Sequence, residues 1–367
     1  MKLILSKNSK LAITLFTALL MSCSSDDVKP VTVNDAVDKI ITPYIVLGAD
    51  VGIIVGVVKD KETTVYSYGE KVLGSNEKIS SQSVLEIASL TKVYTSVALA
   101  SMHINGELNL DEPIENLLPS EVHVPSFEGK KITLRHLATH TSGFPRNPTN
   151  MDEDAYNQYK GYTKEKMYDF INSFSLTRAP GSEVVYSSVG YGLLGEILSL
   201  KNNSNYERMI FERILGPLGM SHTTVSFTPA QLENLVQGYN GTTRVESWSQ
   251  HMQDIMQGTG ALISTLDDQL IYLKANMGLI DTPLRNAMLL SHDSKNNPVD
   301  KGLGWNIKNA DGLTIIWKNG GNGGYGSMMA FDKTKGLGVV VMANSSMNPE
   351  IFPTDIGFEI LKALSRF

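Results

Sequence analysis

Apolar positions recur with three different rhythms along the chain. Near the start, "VNDAVDKII" (33–41) carries them at helical spacing, and it predicts a helix. "VGIIVGVV" (51–58) and "TTVYSYG" (63–69) follow, joined by the charged turn "KDKE", and they predict two strands. From about residue 88 to 235 the spacing turns mostly helical. "SLTKVYTSVALASMHI", "TLRHLATHT", "KEKMYDFINSF", "VGYGLLGEILSL" and "YERMIFERIL" are separated by the breakers "NGELNLDEP", "SGFPRNP", "APGSE" and "GPLGM". From about residue 300 short strand patterns return in "KGLGWNI", "LTIIWK", "YGSMMAF" and "GLGVVVMA", and "FPTDIGFEILKALSRF" closes the chain as an amphipathic helix.

Two strands alone are marginal in water. The N-terminal pair is therefore expected to join the C-terminal strands in one antiparallel sheet. The fold class is α+β: an antiparallel sheet flanked by helices, with an all-helical lobe inserted at about 88–235. A site at the seam between sheet and helices follows, since pockets favour such seams.

The first 22 residues stand apart. "MKLILSKNSK" is basic and "LAITLFTALLM" is an apolar run too short to span a bilayer, the pattern of an export signal. It ends at "LMSC", whose Cys23 is the only cysteine of the chain. "LMSC" resembles a bacterial lipobox, which implies lipidation of Cys23 and a cell-envelope protein anchored at a membrane, the outer one being the expectation. Residues 23–35 then form a polar tether and 36–367 the catalytic domain. The plainer alternative is an ordinary cleaved signal. With the lone cysteine at the anchor, the domain has no disulfide to rely on and must rely on its core. Net charge is −6 with no long basic run, which argues against nucleic acid as a partner.

Three stretches carry candidate chemistry. In "EIASLTKVYTSVALA" (86–100), Ser89 and Lys92 stand three apart, so on a helix they share a face. The apolar run behind them predicts a buried helix. A buried amine loses proton affinity and becomes a usable base, and serine needs such a base to become a nucleophile. A surface helix start would produce the same spacing without catalysis. In "PGSEVVYSSVGYGLLGEIL" (180–198), Tyr186 precedes a helix. Nearby cations would lower its pKa and make it a base; otherwise it is a core aromatic. In "TIIWKNGGNGGYGSMMAF" (314–331), a strand delivers Lys318 and a glycine-rich run whose backbone N–H groups can bind an oxyanion. Gly321, Gly323 and Gly326 mimic a dinucleotide fingerprint, but a strand follows where that motif requires a helix. No cofactor is expected. His136 and His140 fall at i and i+4 without a third ligand, so structural histidines and no metal are expected.

The order of these pieces is similar to that of the serine beta-lactamase-related hydrolases, which include class C beta-lactamases, D-alanyl-D-alanine carboxypeptidases and related esterases. The resemblance covers about residues 36–365. It rests on "SLTK", "YSS" and "KNG", with "GELNLDEPI", "ITLRHLATHTSGFP", "PGSEVVYSSVGYGLLG", "GPLGM" and "ALISTLDD" between them. It implies a penicillin-binding transpeptidase-like fold with Ser89 as acylated nucleophile, Lys92 as its partner and Tyr186 as proton shuttle. Backbone N–H groups of Ser89 and Gly321 would form the oxyanion hole. Ser188, Lys318, Asn319, Gly320 and Asn322 would hold substrate.

Two positions depart from the family pattern. Ser188 stands where the family often has asparagine, and a hydroxyl cannot replace an amide's paired donor and acceptor. Lys318 stands where close relatives often carry histidine, and a permanently charged lysine would favour an anionic group such as a carboxylate. The expected activity is a serine hydrolase working through an acyl-enzyme on amide or ester carbonyls. Its substrates would be small peptides ending in D-amino acids, including peptidoglycan-derived ones, or esters. The alternatives are a beta-lactamase and a non-catalytic binding module on the same fold.

Overall fold

The computed structural model describes residues 32–46, 52–151, 156–299, 301–345 and 352–367. The expected export signal, Cys23 and most of the expected tether lie outside them.

The expected sheet forms. Strands β1 (Ile53–Lys59) and β2 (Glu62–Tyr68) join β3 (Asn306–Ala310), β4 (Leu313–Gly321), β5 (Gly326–Asp332) and β6 (Leu337–Ala343). The order is β2-β1-β6-β5-β4-β3, antiparallel throughout. The β1–β2 turn places Asp60 and Lys61 at positive φ, 50° and 77°, the tight primed hairpin that matches strand twist. β5 and β6 are buried at every position, because helices cover both faces of the central sheet. β2, on the edge, exposes Glu62–Val65.

Alternation along β1 divides its side chains between two cores. Ile53, Val55 and Val57 pack with α1 (Val33–Val46) and the C-terminal helix Phe352–Leu364, through Val37, Ile41, Ile356 and Ile360. Ile54 and Val58 face the larger core, which holds α2 (Thr91–Ile104) and the other helices of the middle region. Each fully buried Val or Ile contributes about 1.5–3 kcal/mol.

α2 is buried from Thr91 to Leu99 and beyond, as the lack of a polar face requires. α3 (Leu134–Ala138), α4 (Lys164–Ser173) and α5 (Ser188–Lys201) follow the predicted stretches. α5 runs against the short helix Gln257–Gly260, so closely that a Cβ on Gly195 would lie 3.0 Å from the Gly258 Cα. Two further helices, α6 (Leu266–Met277) and α7 (Arg285–His292), occupy a stretch whose pattern predicts no element. No helix among the described residues is long and apolar enough to cross a membrane.

Candidate active site

Ser89 sits on a strained turn. A two-residue strand, Leu85–Glu86, pairs with Ile263–Ser264, and a 3-10 turn, Ala88–Leu90, leads into α2. The helix therefore begins two residues after Ser89, not at it. Ala88 has φ 46°, a left-handed conformation that costs a non-glycine residue about 1–3 kcal/mol and persists only where the surroundings impose it. Gly320 of β4 is one such surrounding. A Cβ there would collide with the Ile87 carbonyl and approach the Ser89 nitrogen to 2.8 Å.

Two groups converge on Ser89. The Lys92 amine donates to Ser89 Oγ at 3.1 Å and to the Thr259 carbonyl at 2.6 Å. The Tyr186 hydroxyl donates to the same Oγ at 2.8 Å. Lys92 is fully buried, and an ammonium in such a place costs several kcal/mol unless compensated. Burial first, then the charges of Lys318 and Arg146, hold its pKa well below that of a free lysine.

Tyr186 comes from the extended segment before α5. Ser187 caps that helix by accepting from the Gly190 N–H at 3.0 Å. Three cations stand over the Tyr186 ring: the Lys318 amine at 4.7 Å from the centroid, Lys92 at 5.0 Å and the Arg146 guanidinium at 5.1 Å. The expected lowering of its pKa nonetheless does not occur. Burial outweighs the bond to Ser89 and the Arg146 charge, and it pushes the phenol above its ordinary value. Tyr186 is thus a neutral O–H donor.

Lys318 also differs from expectation. Its side chain is only 3% exposed and is absent from the walls of the cleft. Burial, with Lys301 and Arg146, pulls its pKa down to about 7, so it is not permanently charged at neutral pH. Asn319 gives its amide to Thr354 Oγ1 at 3.0 Å. Asn322 lines the cleft, but its amide donates to the buried Glu86 carboxylate and its Oδ1 accepts from Tyr325 N at 3.1 Å. It braces the glycine-rich turn. Gly321 faces the cleft at the end of β4, beyond Trp317 where the pairing with β3 stops. Ser188 lines the same cleft and accepts from the Tyr159 hydroxyl at 3.1 Å.

The i, i+4 histidines part company. His136 Nδ1 accepts from the Thr133 N–H at 3.1 Å and closes the α3 cap. His140 Nδ1 accepts from the Ser187 N–H at 3.1 Å, and its ring lies 4.5 Å from the Tyr186 ring. Burial and the lysine charges keep His140 neutral, well below the usual histidine range.

A cleft of about 360 Å³ opens over Ser89, walled by Arg146, Asn147, Tyr156, Tyr159, Trp248 and Asn322 among others. A second hollow of about 370 Å³ adjoins it past Tyr186 and Trp317. Tyr156 and Tyr159 meet Trp248 edge-on at 5.9 and 6.1 Å. Apart from Asn322, sequence reasoning missed these wall residues. Their one signal was Arg146 inside "SGFPRNP", a stretch that reads as a helix breaker.

An alcohol bonded by a proton-poor amine and by a neutral phenol, beside a free strand end, is the constellation of a serine acyl-transfer enzyme. The family model described as Beta-lactamase matches residues 37–363, and the chain belongs to that family. It is a serine hydrolase. It is 29% identical to the D-alanyl-D-alanine-carboxypeptidase/endopeptidase AmpH of Escherichia coli, over 90% of this chain and 91% of that protein. It is 25% identical to a beta-lactamase of Pseudomonas fluorescens, over 86% of this chain and 94% of the relative. A beta-lactamase/D-alanine carboxypeptidase from Yersinia pestis, complexed with citrate, shares the fold with a TM-score of 0.77 at 24% identity. That match covers 90% of this chain and 98% of the other.

Proposed function

We propose that the protein is a cell-envelope peptidase that forms an acyl-enzyme on Ser89 and hydrolyses small peptides with a carboxypeptidase-like preference. The observation that carries this reading is the pair of hydrogen bonds to one oxygen, from Lys92 at 3.1 Å and Tyr186 at 2.8 Å.

The two groups divide the proton work. Lys92, proton-poor through burial, accepts the Ser89 proton as Oγ attacks the carbonyl carbon. The developing oxyanion is held by the backbone N–H groups of Ser89 and Gly321; one such donor typically supplies about 2.7–4 kcal/mol. Tyr186, kept protonated, gives its proton to the departing nitrogen or oxygen as the scissile bond breaks. The Lys92 ammonium then resupplies the phenol. Water attacks the Ser89 ester, and the reverse transfers restore the serine and release the acid.

Peptide substrates are favoured by the likeness to the D-alanyl-D-alanine-carboxypeptidase/endopeptidase, which aligns over nine-tenths of both chains. The "LMSC" motif supports a lipid anchor at Cys23 that holds the domain at the envelope, where peptidoglycan fragments occur. A fluorophosphonate probe is expected to add one label to the wild-type domain and none to Ser89→Ala, read by intact mass. Equal labelling of both removes Ser89 from its role. Fast turnover of a cephalosporin with no peptide hydrolysis would instead favour the lactamase reading.

A further inference from the structure

We propose that Arg146 sets substrate specificity by binding a carboxylate on the leaving portion of the substrate. The proposal rests on the acyl-enzyme reading above and adds the group that recognises what departs.

Arg146 is exposed, and it lines both the cleft over Ser89 and the adjoining hollow. Its guanidinium carbon stands 5.1 Å from the ring centre of Tyr186, whose hydroxyl touches Ser89 Oγ. The adjoining hollow that Arg146 lines is also walled by Ser89, Tyr186, Asn319, Gly320 and Gly321, so a leaving portion seated there would meet the guanidinium. Lys92 and Lys318, the two lysine amines over the Tyr186 ring, are buried at 0% and 3% exposure and line neither hollow. Among the described residues that line the two hollows, Arg146 is the one cation.

Its position is fixed by the tyrosine's own segment. The Ser188 N–H donates to the Arg146 carbonyl at 2.7 Å, and Ser187 Oγ donates to the Pro145 carbonyl at 2.8 Å. The arginine and Tyr186 are thereby tied at backbone level. Among the described residues Arg146 forms no ion pair with a carboxylate, whereas Arg135, Arg178, Arg208 and Arg213 each pair with one. A guanidinium presents a planar fork that matches a carboxylate through two parallel hydrogen bonds.

The test uses protection of Ser89, so it does not depend on turnover. Acetyl-D-alanyl-D-alanine and its C-terminal amide are compared as agents that slow fluorophosphonate labelling in wild type, Arg146→Gln and Arg146→Lys. In wild type the free acid should protect at a concentration about tenfold or more below that of the amide. Arg146→Gln should bring the two together, and Arg146→Lys should keep part of the gap. No preference for the acid in wild type, including no protection by either compound, overturns the proposal, as does a gap unchanged in Arg146→Gln. Labelling of wild type against Ser89→Ala reads the serine assignment separately. If that fails, the whole site falls; if it holds with the gap unmoved, only Arg146 does.

Discussion

The two ends of the cleft are built on different plans. At one end, Ser89, Lys92 and Tyr186 stand on or beside long buried helices, and bonds of 2.6–3.1 Å hold them to one another or to the Thr259 carbonyl. At the other end, Arg146, Asn147, Tyr156 and Trp248 come from loops of separate regions and are partly or fully exposed. The first end has its geometry settled before a ligand arrives. In the proposed mechanism, bond making and substrate reading thus fall to differently built parts of the fold.

The largest expected effect that bears on this division comes from Lys92→Arg. Arginine imposes a charge that it cannot give up, so the acylation rate should fall about 10²–10⁴-fold, the range typical of a lost general base. Stopped-flow acylation by an activated ester reads it. Near-wild-type acylation would show that the charge, not the accepted proton, is what matters.

Next comes Tyr186→Phe, which should separate two leaving groups. An amide needs a proton to depart and should slow about 10²-fold or more, while a p-nitrophenyl ester, whose leaving group needs none, should slow far less. Equal slowing would mean that Tyr186 serves geometry and not proton delivery.

The smallest effect is one of pH. The Lys318 charge is among the causes that hold the Lys92 pKa down, after burial. With Lys318→Met that pKa should rise, and the acid limb of the kcat/KM profile, where Lys92 gains its proton, should move to higher pH. Lys318 itself titrates at about 7, so wild type and variant should differ most below that pH and converge above it. An unmoved limb would uncouple the two lysines.

Where the sequence was legible, contrast was the reason. The β1, β5 and β6 patterns are built on short apolar runs, and α2 is apolar with breakers at its end. α6 escaped because its buried face includes Asp268, Gln269 and Asn276. Those polar residues erase the alternation that periodicity needs. Asp268 is buried because it accepts from the His222 N–H and from Thr223 Oγ1, partners some 45 residues away. The Ser89–Lys92 spacing is local and can be read by counting. The wall of the cleft cannot, because Arg146 and Trp248 become neighbours only when loops about 100 positions apart converge. His140 is expected from the sequence only as a structural histidine, and its place against the Tyr186 ring depends on a left-handed turn, φ 60°, that its sequence does not announce.

The pairing of β1 with β6 sets the order in which the molecule can mature. Ile53 lies opposite Ala343 and Lys59 opposite Leu337, so the second element of the chain finds one of its two strand partners among the last. Contacts this remote carry a large loop-closure cost and make for slow assembly. A growing or threading polypeptide has no means of completing the sheet until residue 343 has emerged, and a nascent chain stopped short of it keeps an apolar strand edge open to its neighbours. Activity should therefore appear only in chains that extend past residue 343, and chains ending before it should yield aggregates in place of a smaller working enzyme.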